Sequence, residues 1–229
     1  MRRIMNSFAT FIVIIGILIL SIPILENRAV KMEQKGLLNR LETEGADSVT
    51  TDRQVEERYE QLNAILDEGQ QREESTKQTK EAARLLGKIE IPSIDIELPI
   101  LDGANMENLD IAVGRLKGTG VIGKNGNMAL AAHRSYKYGK LFNRLDEVEV
   151  GDGLQIDTGG NTYEYEVKDT FRVVPTDLSV LKDTNQESIV TLITCDPIHN
   201  PTHRLIVQAE MKDKSDALGT EASPRGPER

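Results

Sequence analysis

The sequence of 229 residues is notable first for what is scarce in it. It has a single cysteine, Cys195, which excludes an internal disulfide and any multi-cysteine metal site. Tryptophan is absent and aromatic residues make up only 4%, so stacking platforms for single-stranded nucleic acid are missing. Positive charge is in deficit: the formal net charge is -9 and the pI is near 5.0. A general nucleic-acid binder needs clustered Lys and Arg to neutralise phosphates, so no nucleic-acid partner is expected. What remains is a core held by packing alone, with one spare thiol.

Long apolar runs are also scarce, and the one present is informative. Residues Phe8 to Leu25, FATFIVIIGILILSIPIL, carry no charge. A membrane-spanning helix needs about 20 such residues, with a lower limit of about 17. Arg2 and Arg3 precede the run, and basic flanks stay cytoplasmic, which puts the rest of the chain outside. A cleaved signal peptide is the alternative. Its apolar core usually runs about 7–15 residues and ends at a small-residue cleavage site, and no such site follows Leu25. The expectation is a single-pass protein of the cell membrane, with residues 1–25 as cytoplasmic end and anchor and an extracytoplasmic domain. Outside the cell, a free thiol is a liability unless it is buried or used.

Residues 26–85 are rich in Glu, Gln, Lys and Arg. Within TDRQVEERYEQLNAIL, the residues Val55, Tyr59, Leu62, Ile65 and Leu66 fall at helical spacing, with Asp52 as a candidate N-cap. Heptads are not sustained, so the segment reads as a polar, partly helical stalk that lifts a domain off the membrane. At residue 86 the texture changes to alternating apolar and polar residues, as in GKIEIPSIDIELPIL. That segment supplies two strands. Further strand candidates are Met128–Ala132, Leu154–Asp157, Thr162–Lys168, Thr170–Val174, Ile189–Cys195 and Arg204–Met211, with TGGN at 158–161 as a hairpin turn. About eight strands predict an all-β barrel or sandwich over residues 86–211. LFNRLDEV and PTDLSVL read as single helical turns, the latter with Asp177 near an N-cap. Residues 212–229 read as a disordered polar tail.

Three residues stand at strand ends and could share one site. Cys195 closes a strand and is followed by Asp196-Pro197, which must turn. His133 ends GNMALAAH, where Ala131 and Ala132 leave room for something to approach. Arg204 opens the last strand, and its fork of donors suits a developing oxyanion or a carbonyl. Each also has a plain reading: a buried core cysteine, a surface histidine, a surface arginine. Arg134 reads as solvent-facing. His199 and His203 read as loop residues, and the three histidines match no metal-ligand spacing, so neither metal nor cofactor is expected.

TLITC at 191–195, ALAAHR at 129–134 and THRLIV at 202–207 together resemble the sortases, the membrane-anchored cysteine transpeptidases of Gram-positive bacteria. IPSIDIELPIL and LFNRLDEVEVGD extend the resemblance over about residues 86–211. It implies an eight-stranded sortase-type β-barrel with short helices. It further implies that Cys195 attacks the Thr–Gly carbonyl of a sorting signal like Leu-Pro-x-Thr-Gly on a surface protein. The thioacyl enzyme is then resolved by an amine acceptor such as a cell-wall precursor. His133 would serve as general acid and base, and Arg204 would steady the oxyanion or the substrate backbone with Thr194 assisting. Ala131 and Ile193 would line the groove for the Leu-Pro part. With ordinary pKa values of about 8.5 and 6.5, under roughly 1% of molecules hold thiolate and imidazolium together near pH 7.

The pilin-polymerising members usually have a second, C-terminal span and a lid with an Asp-Pro-aromatic motif. This sequence has neither, which resembles class A or class D, although its short loop between Cys195 and Arg204 is similar to theirs. Residues 115–127, RLKGTGVIGKNGN, hold no acid, so calcium activation of the kind some class A members use is not expected. Ala132 stands where glycine is frequent. A pilus-assembly role, a plain cysteine peptidase and a non-catalytic tethered binding module remain the alternatives. An L,D-transpeptidase is disfavoured, because its Ser-His-Gly-Cys motif is absent.

Overall fold

The computed structural model describes residues 28–43, 55–68, 84–184 and 186–212. The apolar run at 8–25, the candidate cap Asp52 and nearly all of the tail lie outside the described residues. No helix among the described residues is long and apolar enough to cross a membrane.

Eight strands close into a barrel in the order β1-β2-β3-β4-β7-β8-β6-β5. They are β1 (Leu85–Ile91), β2 (Ile96–Asp102), β3 (Val113–Arg115), β4 (Gly126–Ala131), β5 (Gly153–Asp157), β6 (Thr162–Val173), β7 (Ser188–Asp196) and β8 (His203–Met211). The β1–β2 connection is a single 3-10 turn over Pro92–Ile94. Pro92 needs no amide donor there, and Asp95 takes a left-handed conformation (φ 53°) that closes it. Ile89, Ile100, Leu130, Phe142, Leu192 and Val207 are fully buried in the barrel interior, where alternate residues of each strand converge. β4 is buried along its whole length. It runs parallel to β7, and parallel strands are ordinarily covered on both faces.

The expected number of strands is met by a different set. Thr162–Lys168 and Thr170–Val174 are one strand, β6, with a register shift between Val167 and Asp169. The shift breaks the period-2 alternation, so one strand reads as two. β3 was not anticipated; three residues centred on Gly114 are too short to show any period. The hairpin at 158–161 and the helical turns at Leu145–Glu147 and Leu178–Leu181 are present. The Asp177 side chain caps the second turn, accepting from the Ser179 amide at 2.9 Å.

Within residues 26–85, expected to be a polar, partly helical stalk, the described residues form two helices, α1 (28–43) and α2 (Val55–Glu68), and both lie against the barrel. A further short helix, α3 (Met106–Ile111), joins β2 to β3. Leu41 of α1 is buried with Leu85, Leu101 and Ala112, and the Gln34 side chain donates to the Ile111 carbonyl at 2.6 Å. Tyr59, Leu62 and Leu66 of α2 are buried in a second apolar cluster with Ala131, Ile193 and Cys195 on the barrel's outer face. Spacing of three and four residues puts those side chains on one stripe of the helix, and such a stripe requires a partner surface. The barrel provides it.

Gly114 marks how closely β3 is packed. A Cβ there would lie 2.8 Å from the Ala104 Cα, the Gly103 carbonyl oxygen and a Leu109 methyl, and the two backbone atoms cannot give way. Gly114→Ala is therefore expected to cost about 1–3 kcal/mol in denaturant unfolding, with an unchanged midpoint as the contrary result.

Candidate active site

The site follows from strand register. Ala131 of β4 lies beside Ile193 of β7, so two residues further on His133 comes beside Cys195. Across the other edge of β7, Cys195 faces Arg204 of β8 directly. The three expected residues thus meet at one rim of the barrel. His133 and Cys195 line one pocket of about 170 Å³, together with Leu66, Asp110, Tyr136 and Lys140.

α2 covers this site. Cys195 is 3% exposed, and its thiol donates to the Leu66 carbonyl at 3.5 Å. Leu66 is among the last four residues of the helix, whose carbonyls have no intrahelical donor. Arg204 has no solvent exposure, and its guanidinium is taken up mainly by the same helix. Its Nε donates to the Asn63 side chain at 2.9 Å and its Nη2 to Asp67 at 2.8 Å. Ala131 and Ile193, the expected groove residues, lie fully buried in the cluster that Leu62 and Leu66 complete.

Burial sets the protonation of the pair. It pushes the Cys195 thiol up to about 11, against the opposing pull of Arg204 and Arg134 and with a smaller push from Asp67. Burial also lowers the His133 pKa, which the Asp110 carboxylate partly offsets. The His133 Nε2 stands 3.9 Å from Asp110 and has no hydrogen-bond partner among the described residues. With α2 seated, burial favours the neutral form of both the thiol and the imidazole.

Thr194 points to the opposite face of β7 and donates to the Ala132 carbonyl at 2.8 Å. Its effect on the site runs through the strand it fastens. His199 stacks on Tyr136 with ring centroids 4.8 Å apart, and His203 pairs with its neighbour Thr202 at the surface. Among the described residues, no group of three His, Cys, Asp or Glu is placed to hold a metal ion.

Arg134 does not face solvent, as its sequence position had suggested; its side chain is buried. It pairs with Asp196 and with Asp146 (2.7 Å), and it donates to the Cys195 carbonyl at 3.4 Å. Arg172 holds the other Asp196 oxygen at 2.6 Å. Burial alone would raise the Asp196 carboxyl, but Arg172 and Arg134 outweigh it and hold the pKa below its ordinary value. This clamp fixes the backbone on the C-terminal side of the thiol. The signal for it was opposite charges directly after His133 and directly after Cys195.

Residues 89–212, more than half of the sequence, match the model of the sortase domain. The chain belongs to the sortase family. It is 29% identical to sortase A of Listeria monocytogenes, over 94% of this chain and 95% of that one. It is 34% identical to sortase A of Bacillus anthracis over 56% of this chain, a match that spans only 60% of the relative. Among solved structures it is similar to Clostridium perfringens sortase C with the C-terminal cell wall sorting motif. The TM-score is 0.54 at 32% identity, over 69% of this chain and 86% of that one. Sortases are membrane-associated cysteine transpeptidases of the cell surface, and this sortase carries its one cysteine at the rim of the barrel.

Thiol labelling reads the covered state directly. The iodoacetamide rate at Cys195 is expected to climb about tenfold per pH unit from pH 7 to about 10, because the thiolate fraction is still rising there. A plateau near pH 8.5, as for an ordinary thiol, would contradict a buried resting state.

Proposed function

We propose that this sortase cleaves a Leu-Pro-x-Thr-Gly-like sorting signal between Thr and Gly and transfers the acyl part to an amine, with Cys195 as nucleophile. The single observation that carries the reading is the register that sets Cys195 opposite Arg204 and beside His133. As the sulfur bonds to the Thr carbonyl carbon, His133 takes the thiol proton, and the oxyanion forms within reach of the Arg204 donors. Collapse breaks the Thr–Gly bond, and His133 passes the proton to the leaving glycine amine. The incoming amine attacks the thioester, His133 accepts its proton, and the thiolate leaves and is reprotonated. The apolar run Phe8–Leu25 anchors the protein in this reading, with the barrel on the extracytoplasmic side.

In this mechanism α2 is a cover that imitates substrate. Leu62 and Leu66 occupy the apolar floor over Ala131 and Ile193, where the Leu-Pro part of a signal would lie. The Leu66 carbonyl sits at the thiol, where a scissile carbonyl would sit, and Asn63 and Asp67 satisfy the guanidinium in place of an oxyanion. Catalysis therefore requires α2 to withdraw, and the apparent affinity for the signal is reduced by the fraction of molecules that are closed. A pilus-assembly role is supported by the likeness to a sortase C. It differs in acceptor, another protein instead of a wall precursor.

The test uses the full chain in detergent, a quenched sorting peptide, an amine acceptor and mass spectrometry of the product. Amine-bearing acyl product that disappears in Cys195→Ala supports transpeptidation; free acid alone, at every acceptor concentration, indicates a peptidase. Loss of product in His133→Ala and in Arg204→Lys is expected alongside it. Asp67→Ala should raise kcat/KM about two- to fivefold, since an ion pair to a half-exposed carboxylate contributes about 1 kcal/mol or less to closure. Leu62→Ala should raise it further, until the open state dominates. Activity unchanged in both variants would mean that α2 does not gate the site.

A further inference from the structure

His133 has one polar atom that the site has not yet accounted for. Its Nε2 is buried without a hydrogen-bond partner among the described residues, where a buried polar atom ordinarily has one. The Asp110 carboxylate faces it, with Oδ1 3.9 Å away. Asp110 stands near the end of α3, a helix fastened by contacts that do not involve α2. The Asn105 side chain accepts from the Asn108 amide at 2.9 Å, and the Asn108 side chain donates to the Gly103 carbonyl at 2.8 Å. Leu109, the residue before Asp110, is fully buried. Of the described residues that line the catalytic pocket, Asp110 alone carries a carboxylate. Two cations share the pocket: Lys140 of the 137–141 loop and Arg134, which is paired with Asp196 and Asp146. From β7 the titrating neighbour is Cys195, and from α2 the acid at the site is Asp67, engaged by Arg204 at 2.8 Å.

We propose that Asp110 is a positioning residue for the catalytic histidine, accepting from the Nε2–H of His133 during turnover and leaving Nδ1 to exchange protons with the thiol and the two amines. The inference rests on the transpeptidase reading and adds a residue to that same site. A neutral imidazole has one donor and one acceptor nitrogen, and the partner at one nitrogen fixes the role of the other. Nε2 is enclosed, so substrate protons reach the ring at Nδ1. For Nδ1 to accept the thiol proton, the neutral ring must carry its own hydrogen on Nε2, the atom that faces the carboxylate. As the imidazolium forms, the 3.9 Å contact closes to a hydrogen bond, because catalytic hydrogen bonds that are long at rest tighten on the reaction path. The charge acts in the same direction. Asp110 favours the imidazolium against the opposing effect of burial, so each step that puts a proton on His133 is assisted. Because α3 is held to the barrel by Asn105 and Asn108, this support stays in place when α2 withdraws.

The test uses the full-length protein in detergent with Asp110→Asn and Asp110→Glu. The Asp110 side chain is 55% exposed and asparagine matches it in size, so the first variant removes the charge and spares the fold. The chain has three histidines, and His133→Ala assigns the ring signals of His133 in an NMR titration. Asp110→Asn should lower the midpoint of the His133 titration and leave those of His199 and His203 in place. The acid limb of kcat/KM for sorting-peptide cleavage should move to lower pH with it. On the plateau, kcat should fall about three- to tenfold while KM stays within about twofold. Asp110→Glu, which keeps the charge, should restore most of the loss. An unmoved His133 midpoint, or equal losses in both variants with the acid limb in place, would overturn the proposal. A lowered midpoint with unchanged kcat would overturn it too. A lowered midpoint in Asp110→Asn with no amine-bearing product from the parent would support the Asp110–His133 contact and overturn the transpeptidase reading.

Discussion

The parallel pairing of β4 with β7 is the constraint on which the site depends. Side chains alternate along a strand, so a slip of one residue would turn His133 and Cys195 to opposite faces. The pairing is fastened at both ends. Near its start, the Asn127 side chain accepts from Thr191 at 2.7 Å and donates to the Val180 carbonyl at 2.8 Å. Near its end, the Thr194 hydroxyl binds the Ala132 carbonyl, and the Arg134–Asp196–Arg172 clamp follows immediately. These polar contacts lie in or beside apolar surroundings, where a misplaced partner is costly. The geometry of the thiol is thus secured from behind and from the flanks.

The cover over the site is built to a different standard. Tyr59, Leu62 and Leu66 bury apolar surface, each contributing about 1.5–3 kcal/mol to seating the helix. Yet the Tyr59 hydroxyl is buried without a hydrogen-bond partner among the described residues, and burial drives its pKa up to about 12. An unsatisfied buried hydroxyl opposes seating by about 1–3 kcal/mol. Arg204 gains an acidic partner in Asp67, but that carboxylate is 52% exposed and its attraction is screened. Good apolar contacts joined to imperfect polar ones suit the withdrawal of α2 that the proposed mechanism requires.

The sequence was legible where side-chain chemistry and period coincided. The rim residues His133, Cys195 and Arg204 could be placed together because each closes or opens a strand with a clear apolar run. The β6 bulge and the three-residue β3 were not legible, since neither sustains a period long enough to read. The position of α2 was also hidden. Its stripe of Tyr59, Leu62 and Leu66 was visible, but a stripe does not say which surface it covers, and the polar residues between made a solvated stalk the simpler reading. Arg134 read as solvent-facing and Asp196 as part of a turn, so their partnership was not legible. Their pairing spans two strands, and local spacing carries no trace of it.

The burial of Cys195 under α2 also bears on the enzyme's working lifetime. In the proposed reading, with the barrel on the extracytoplasmic side, nothing restores a thiol that has been carried past sulfenic acid, and one such event ends a molecule with a single cysteine. Oxidants attack the thiolate, and the docked helix both excludes them and keeps the sulfur protonated. If α2 withdraws as proposed, the cover is also a preservative: damage accrues only during the intervals when the groove is open.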